Sequence, residues 1–320
     1  MTLRGLPRRA PRVLLDPRTP ASTQSAADFY RPSRLPGRVA KLALRGSGHS
    51  RLGTSLLQAV AGAPMVDPRV EIVAGWARDH LQDGVVLAAW LGSPGPHQKM
   101  TVAVGQGPHH PPAAFVKAAP TGAVAGDLLH EARSLVALAE SPMVDHVPRL
   151  LGRWDDGGHT FVAVSALPGR PLRVGARLDP PQLQLLQTLR RVDPRLVELD
   201  PVEGLVPSHG DFTPWNLRMT RSTASAFDWE SFALRHPSWD LCHFLVQPAA
   251  VMSGLPVAVH VARLRSRLPA MVERHLGCTG REAREAVRAY CLESSADLEA
   301  EGAAGTDRRV VLRRTVAHSL

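Results

Sequence analysis

Three strand-length apolar runs stand close together in the first half of the chain: VVLAAWLG (Val85–Gly92), KMTVAVG (Lys99–Gly105) and AAFVKAA (Ala113–Ala119), with Gly and Pro in the turns between them. Runs this short, broken by chain-reversing residues, predict an antiparallel meander. A helix is predicted over Ala125–Glu140, where Leu128, Leu129, Ala132, Leu135, Val136 and Leu138 gather on one side. One more strand, TFVAVSAL (Thr160–Leu167), runs into Pro168 and Gly169, which suit a hinge. Beyond the hinge the pattern is mostly helical, interrupted by a short hairpin near residues 217–228. At 320 residues the chain is long for one globular domain and short for three, so two lobes, or one domain with an extension, fit its length.

A net charge of +9 would suit a nucleic-acid partner if it were spread along a groove, and it is not. Residues 1–58 hold eleven basic groups against only Asp16 and Asp28, which accounts for the whole excess, while residues 59–320 balance. A neutral body with a basic arm argues against nucleic acid as the partner. Within the arm, Leu35, Val39 and Leu42 recur at helical spacing opposite Arg34, Arg38, Lys41 and Arg45, which predicts an amphipathic basic helix over Ser33–Gly46 packed on its own domain. The apolar stretch His243–Leu264 contains Gln247, Pro248, Gly254, Pro256 and His260, and falls short of the roughly 20 apolar residues that a membrane span requires. Cys242, Cys278 and Cys291 lack paired CxxC spacing and the first twenty residues lack an apolar signal run, so a reducing, cytoplasmic setting is expected.

The chemistry concentrates in SHGDFTPWNLRM, followed by ASAFDWESF. Asp211 and Asn216 lie five apart on a loop containing Pro214; a strand from Leu217 to Thr220 then turns through Arg221–Thr223 and returns to Asp228. Such a hairpin brings Asp228 beside the loop, so that two carboxylates and one amide oxygen face a common point. Phosphoryl transfer from a metal-bound nucleotide needs that set: a carboxylate to orient a hydroxyl and accept its proton, and hard oxygen ligands for Mg²⁺.

HGDFTPWN with a downstream DWE resembles the aminoglycoside phosphotransferase and choline kinase superfamily, relatives of the protein kinases. The resemblance extends over residues 75–250. It implies an α+β, bilobal protein-kinase-like fold with a β-rich N-lobe and a mainly helical C-lobe. The chain then divides into a basic Pro/Arg-rich extension (1–69), a nucleotide-binding N-lobe (70–166) and a catalytic, acceptor-binding C-lobe (167–320). By the same resemblance Asp211 is the catalytic base, His209 organises the loop, Asn216 and Asp228 bind Mg²⁺, and Glu230 is an outer metal contact. Lys117, at the end of AAFVK, matches the strand lysine that meets the nucleotide phosphates, and Glu131 matches the helix glutamate that holds it. The strand ending at Leu167 is the implied interlobe linker, with the backbone of Ser165 to Leu167 against the adenine edge. Asp240, in HPSWDLCHF, resembles the aspartate that braces the catalytic loop through backbone N–H groups. The turn LGSPGPHQK stands where a glycine-rich phosphate loop belongs, but Pro94 and Pro96 remove two N–H donors from it.

The implied activity is Mg²⁺-dependent transfer of the γ-phosphoryl group of ATP to a hydroxyl of a small molecule: an aminoglycoside, an amino sugar, a choline-like compound or a sugar. The alternative is a nucleotide-binding regulatory pseudokinase module without turnover; the joint retention of Lys117, Glu131, Asp211, Asn216 and Asp228 argues against it. A protein kinase is disfavoured because HPSWD follows Asp228 within twelve residues and leaves no long activation segment.

Other conspicuous residues read more simply. His97, His109 and His110 sit in turns beside prolines with no metal-ligand pattern, and Trp215, Trp229 and Trp239 are expected to pack the core around the motif. In the helix predicted over Arg281–Gly302, Glu293, Asp297 and Glu301 recur at i, i+4, i+8. If that acidic stripe bordered the acceptor pocket, an amine-bearing alcohol would be preferred.

Overall fold

The computed structural model describes residues 3–6, 12–29, 44, 62–92, 98–173, 175, 177–252 and 254–320. The chain forms two compact units, one of Met1–Ala132 with Pro148–Ala166 and one of Arg133–Val147 with Leu167–Leu320.

The first unit is built on an antiparallel sheet. The elements up to its last strand are β1 (Leu3–Leu6), β2 (Val13–Leu15), α1 (Pro20–Phe29), β3 (Pro64–Met65), α2 (Pro68–His80), β4 (Gly84–Leu91), β5 (Met100–Gln106), β6 (Pro112–Pro120), α3 (Ala123–Ala139), β7 (Leu150–Asp155) and β8 (His159–Ser165). The eight strands lie in the order β3-β1-β2-β4-β5-β6-β8-β7. The predicted meander is β4-β5-β6, each strand within two residues of its expected bounds. These strands read as nearly continuous apolar runs because both faces are covered. On β4, Ala89 and Leu91 share a core with Val73, Trp76 and Ala77 of α2, whereas Ala88 and Trp90 pack with Ala26 and Ala27 of α1.

The described parts of residues 1–69 contribute strands to this sheet. β2 pairs with β4 through Val13↔Trp90 and Leu15↔Ala88, and β1 and β3 continue the sheet beyond it. Val13, Leu14 and Leu15 are fully buried, and each such side chain contributes about 1.5–3 kcal/mol by leaving water. The expected divisions at 69/70 and 166/167 differ from the two units at the first boundary, and also because Arg133–Val147 belongs to the second unit. The basic helix predicted over 33–46 lies outside the described residues, apart from Leu44, which is buried with Val13, Leu15 and Ala88.

Among the described residues, α1 and α2 form at positions where no helix was expected. α2 is signalled by Asp67, whose carboxylate accepts the Arg69 N–H, by Pro68 at the first helical position, and by buried Val70, Val73 and Ala77 at helical spacing. α1 has no apolar stripe to read: its buried side is small, made of Ser22, Thr23, Ser25, Ala26 and Ala27. Ser22 Oγ accepts the Asp16 N–H and donates to the Leu87 carbonyl, which ties α1 to β4.

The second unit is mainly helical. It contains β9 (Arg170–Pro171), α4 (Pro180–Leu189), β10 (Val206–Ser208), β11 (Leu217–Met219), β12 (Ala224–Ala226), β13 (Ala233–Arg235), α5 (Trp239–Val251), α6 (Val257–Leu276), α7 (Gly280–Ala300) and α8 (Arg308–His318). Short strands make two small sheets, β12-β11-β9 and β10-β13. The helical core joins Trp239, Cys242 and Val246 of α5 to Leu264 and Leu268 of α6, Val287, Tyr290 and Cys291 of α7, and Leu312 and Val316 of α8. α7 starts at a reciprocal cap between Thr279 and Glu282. Burial pushes the Cys291 thiol up to about 12 and raises Cys242 well above the usual thiol range, so both are packing residues at neutral pH. Among the described residues no helix is long and apolar enough to cross a membrane.

Candidate active site

The HGD loop leaves β10 at Ser208 and needs an unusual backbone. Gly210 has φ 81°, and a Cβ there would stand 2.1 Å from the Ser231 carbonyl oxygen, so only glycine fits. The loop's amides are held from the first turn of α5: Asp240 Oδ2 accepts the His209 N–H at 2.9 Å and Oδ1 accepts the Gly210 N–H at 3.1 Å. Trp239 Nε1 donates to the Gly210 carbonyl at 3.0 Å. His209 is fully buried, and the Asp211 N–H donates to its Nδ1 at 3.3 Å. Its Nε2 therefore carries the proton and donates to the Phe227 carbonyl at 3.1 Å, which leaves no lone pair for base chemistry.

Asp211 is approached on both carboxylate oxygens. Asn216 Nδ2 donates to Oδ2 at 2.9 Å and to the Asp211 carbonyl at 3.0 Å. His243 Nε2 lies 2.9 Å from Oδ1. Turning its amide nitrogen inward leaves the Asn216 carbonyl oxygen directed elsewhere. The hairpin does what its sequence suggests: Leu217 pairs with Ala226, and the Phe227 N–H donates to the Asn216 carbonyl at 3.0 Å, so Asp228 follows immediately beside the loop. Asp228 adopts the left-handed conformation, φ 73° and ψ 61°, which is rare for a residue with a side chain and concentrates at functional sites. Trp229 is buried with its ring 4.5 Å from that of His209, and Trp239 is buried as well, while Trp215 is half-buried.

Asn216 and Asp228 together offer hard oxygen donors of the kind Mg²⁺ takes. Among the described residues no group of three or more His, Cys, Asp or Glu side chains is arranged to hold a metal ion. Glu230 is the residue expected as an outer contact. It lies in the one-turn helix Trp229–Ser231 that follows the left-handed residue.

In the first unit, Lys117 sits on β6 between Thr101 of β5 and Val162 of β8. Its Nζ lies 2.7 Å from both carboxylate oxygens of Glu131 on α3. Glu131 is 1% exposed and Lys117 12%, so the pair is largely withdrawn from water. A second pair, missed in the sequence, lies beside it: Lys99 Nζ is 2.8 Å from Asp127 Oδ2. Asp127 and Glu131 are one helical turn apart, a spacing that could have pointed to two lysines, Lys99 just before β5 and Lys117 on β6. Residues 93–97 of the proline-containing turn, His97 among them, lie outside the described residues. His109 and His110 are exposed.

Ser165 ends β8, where the linker backbone was expected to face adenine. Its N–H donates to the Arg149 carbonyl and its Oγ accepts the Arg149 N–H, both at 2.9 Å, and the Ala166 N–H donates to Ala113. These groups are committed within the sheet; Leu167 lies beyond the strand's end. Two of the three carboxylates of the acidic stripe on α7 are already partnered. Arg235 at the end of β13 reaches Glu293 at 2.6 Å and Asp297 at 3.2 Å, with its guanidinium 4.3 Å from the Trp239 ring centre. The stripe therefore gives no independent argument for a cationic acceptor.

Two further residues went unnoticed in the sequence. His243 lies one turn after Asp240 on α5, and the Tyr290 hydroxyl of α7 lies 3.2 Å from His243 Nδ1. The i, i+3 spacing of Asp240 and His243 was the available signal.

No protein-family model and no curated protein matches the sequence. Solved structures do resemble it. APH(2'')-IIa in complex with gentamicin gives a TM-score of 0.51 at 11% identity, over 80% of this chain and 98% of that one. The ADP-bound aminoglycoside phosphotransferase APH(2'')-Ib gives 0.50 at 11% identity, over 79% and 96%. The choline kinase LicA from Streptococcus pneumoniae aligns over 79% of this chain and 100% of its own, with a TM-score of 0.45 at 12% identity. With its antiparallel sheet followed by a helical unit, the chain has the mixed α+β, kinase-like fold of the aminoglycoside phosphotransferases.

Proposed function

We propose that this protein is a small-molecule O-phosphotransferase that moves the γ-phosphoryl group of ATP to a hydroxyl, with Mg²⁺ as the metal. The observation that carries the reading is the Asp211 loop, whose carboxylate is fixed by Asn216 while its backbone is cradled by Asp240. In this reading Asp211 is the base. Each of its oxygens accepts one hydrogen bond from the protein and keeps a lone pair. As the acceptor oxygen bonds to phosphorus, its proton passes to that lone pair and ADP departs with the electrons of the broken P–O bond. Asn216 and Asp228 would hold Mg²⁺, which when bound neutralises phosphate charge. Lys117, kept in place by Glu131, would meet the nucleotide phosphates. Similar folds solved with ADP and with gentamicin support nucleotides and amino-sugar alcohols as the first compounds to test.

The test is nucleotide consumption, with and without Mg²⁺, against aminoglycosides, amino sugars, choline and neutral sugars. Asp211→Asn is expected to retain nucleotide binding and to slow turnover by about 10²–10⁴. Full turnover in that variant would remove Asp211 from the role of base. Nucleotide binding without turnover of any acceptor would instead favour the regulatory module.

A further inference from the structure

We propose that His243 is a positioning residue for Asp211, held by Tyr290 in the one tautomer that can do this; the proposal rests on the phosphotransferase reading above. His243 belongs to a stretch of α5 that is otherwise mostly apolar, flanked by Cys242 and Phe244 with Leu241 before them. A polar ring placed there is unfavourable unless both nitrogens are bonded. Its two partners are Asp211 Oδ1 at 2.9 Å and the Tyr290 hydroxyl at 3.2 Å.

The chain of bonds has a direction. Asp211 Oδ1 is a carboxylate oxygen and can only accept, so His243 Nε2 carries a proton, and the buried Tyr290 hydroxyl, which burial keeps protonated, donates to Nδ1 of the neutral ring. A neutral imidazole that accepts at Nδ1 carries its proton on Nε2. His243 therefore donates to Asp211 Oδ1, while Asn216 donates to Oδ2. Two donors from different elements fix the plane of the carboxylate, and with it the direction of the lone pairs left for the acceptor's proton. α5 thus governs the loop twice, one turn apart: Asp240 sets its backbone and His243 sets its carboxylate.

The experiment compares His243→Leu, His243→Gln and Tyr290→Phe with wild type, using the acceptor found in the panel. It is paired with ¹⁵N NMR of the histidine side chains in the full-length protein. His243→Leu should lower kcat by about 10–100-fold, the scale of a misplaced reacting group, with both KM values within about twofold. His243→Gln, whose amide nitrogen can donate from nearly the same place, should recover most of that loss, which a merely structural role would not explain. Tyr290→Phe should give a smaller loss in kcat and mix the tautomers of His243. In wild type, His243 should be protonated on Nε2, and Asp211→Asn should shift that signal.

An Nδ1-protonated His243, or kcat within twofold of wild type in His243→Leu, would overturn the proposal. So would equal losses in the Leu and Gln variants. If wild type turns over no acceptor, the phosphotransferase reading fails and this role falls with it; if wild type is active and His243→Leu is equally active, only this role fails. Should His243→Leu not fold, His243→Gln and the NMR signals still decide.

Discussion

The two groups of polar residues singled out here are held in opposite ways. Lys117 and Glu131 stand on a regular strand and a regular helix, and each is paired with the other's side chain. The Asp211 loop has only the single turn Pro214–Asn216 as regular structure, and its His209 and Gly210 amides are satisfied by a carboxylate that arrives from a helix thirty residues later. A side-chain pair on regular elements can be exchanged as a pair. A backbone cradle cannot, because the groups it satisfies belong to every sequence that passes through the loop.

That contrast is open to direct challenge. Lys117→Met takes the cation away from the buried Glu131 carboxylate, and should cost about 3–5 kcal/mol of stability by denaturant unfolding. Adding Glu131→Leu should restore most of it while nucleotide binding stays lost. A double variant no more stable than the single would show that the first group is not modular. Asp240→Ala should cost somewhat less, about 2–3 kcal/mol, for two buried N–H groups left without partners. Here no second substitution at His209 should restore stability, since the orphaned groups are main-chain; recovery by a side-chain change would erase the distinction.

The smallest expected effect concerns pH and belongs to the second unit. Burial lowers the pKa of His236 from the ordinary 6.5, and its Nδ1 accepts the Ser238 N–H at 3.2 Å. The unfolded chain therefore takes up that proton more readily than the folded one. Above pH 6.5 both states are neutral at this residue and it contributes nothing; as pH falls below that value, stability declines. The denaturation midpoint should fall between pH 7.5 and pH 5.5, and His236→Asn should reduce that fall. An unchanged fall in the variant would assign it to other groups.

What was legible in the sequence followed the length of the signal. β4, β5, β6 and α3 carry runs of seven residues or more with one dominant period, and their bounds are nearly those expected. β1 and β2 are four and three residues long within an Arg- and Pro-rich segment, and their strand character comes from pairing with each other and with β4. At the candidate site, Asp211, Asn216 and Asp228 lie within one hairpin and could be read together. His243 was signalled only by its i, i+3 spacing from Asp240 and Tyr290 by nothing local, because the contact from Asp211 to His243 to Tyr290 spans almost eighty residues and three elements. Which atoms of Ser165 remain available was not legible for a related reason: it depends on Arg149, a neighbour that only the sheet supplies.

The place of β2 in the sheet has a consequence for how the protein folds and fails. Most neighbouring strands from β4 onward are joined by short turns or one helix, whereas β2 finds β4 more than seventy residues away. Closing that long loop is entropically the later step, so the β1-β2 edge with α1 should dock last and open first. When it opens, β4 becomes an edge strand showing unpaired main-chain groups along GVVLAAWL, which is the template on which chains associate edge to edge. Substitutions that loosen Val13 or Leu15 should therefore appear first as aggregation at high protein concentration, before any loss of the helical unit.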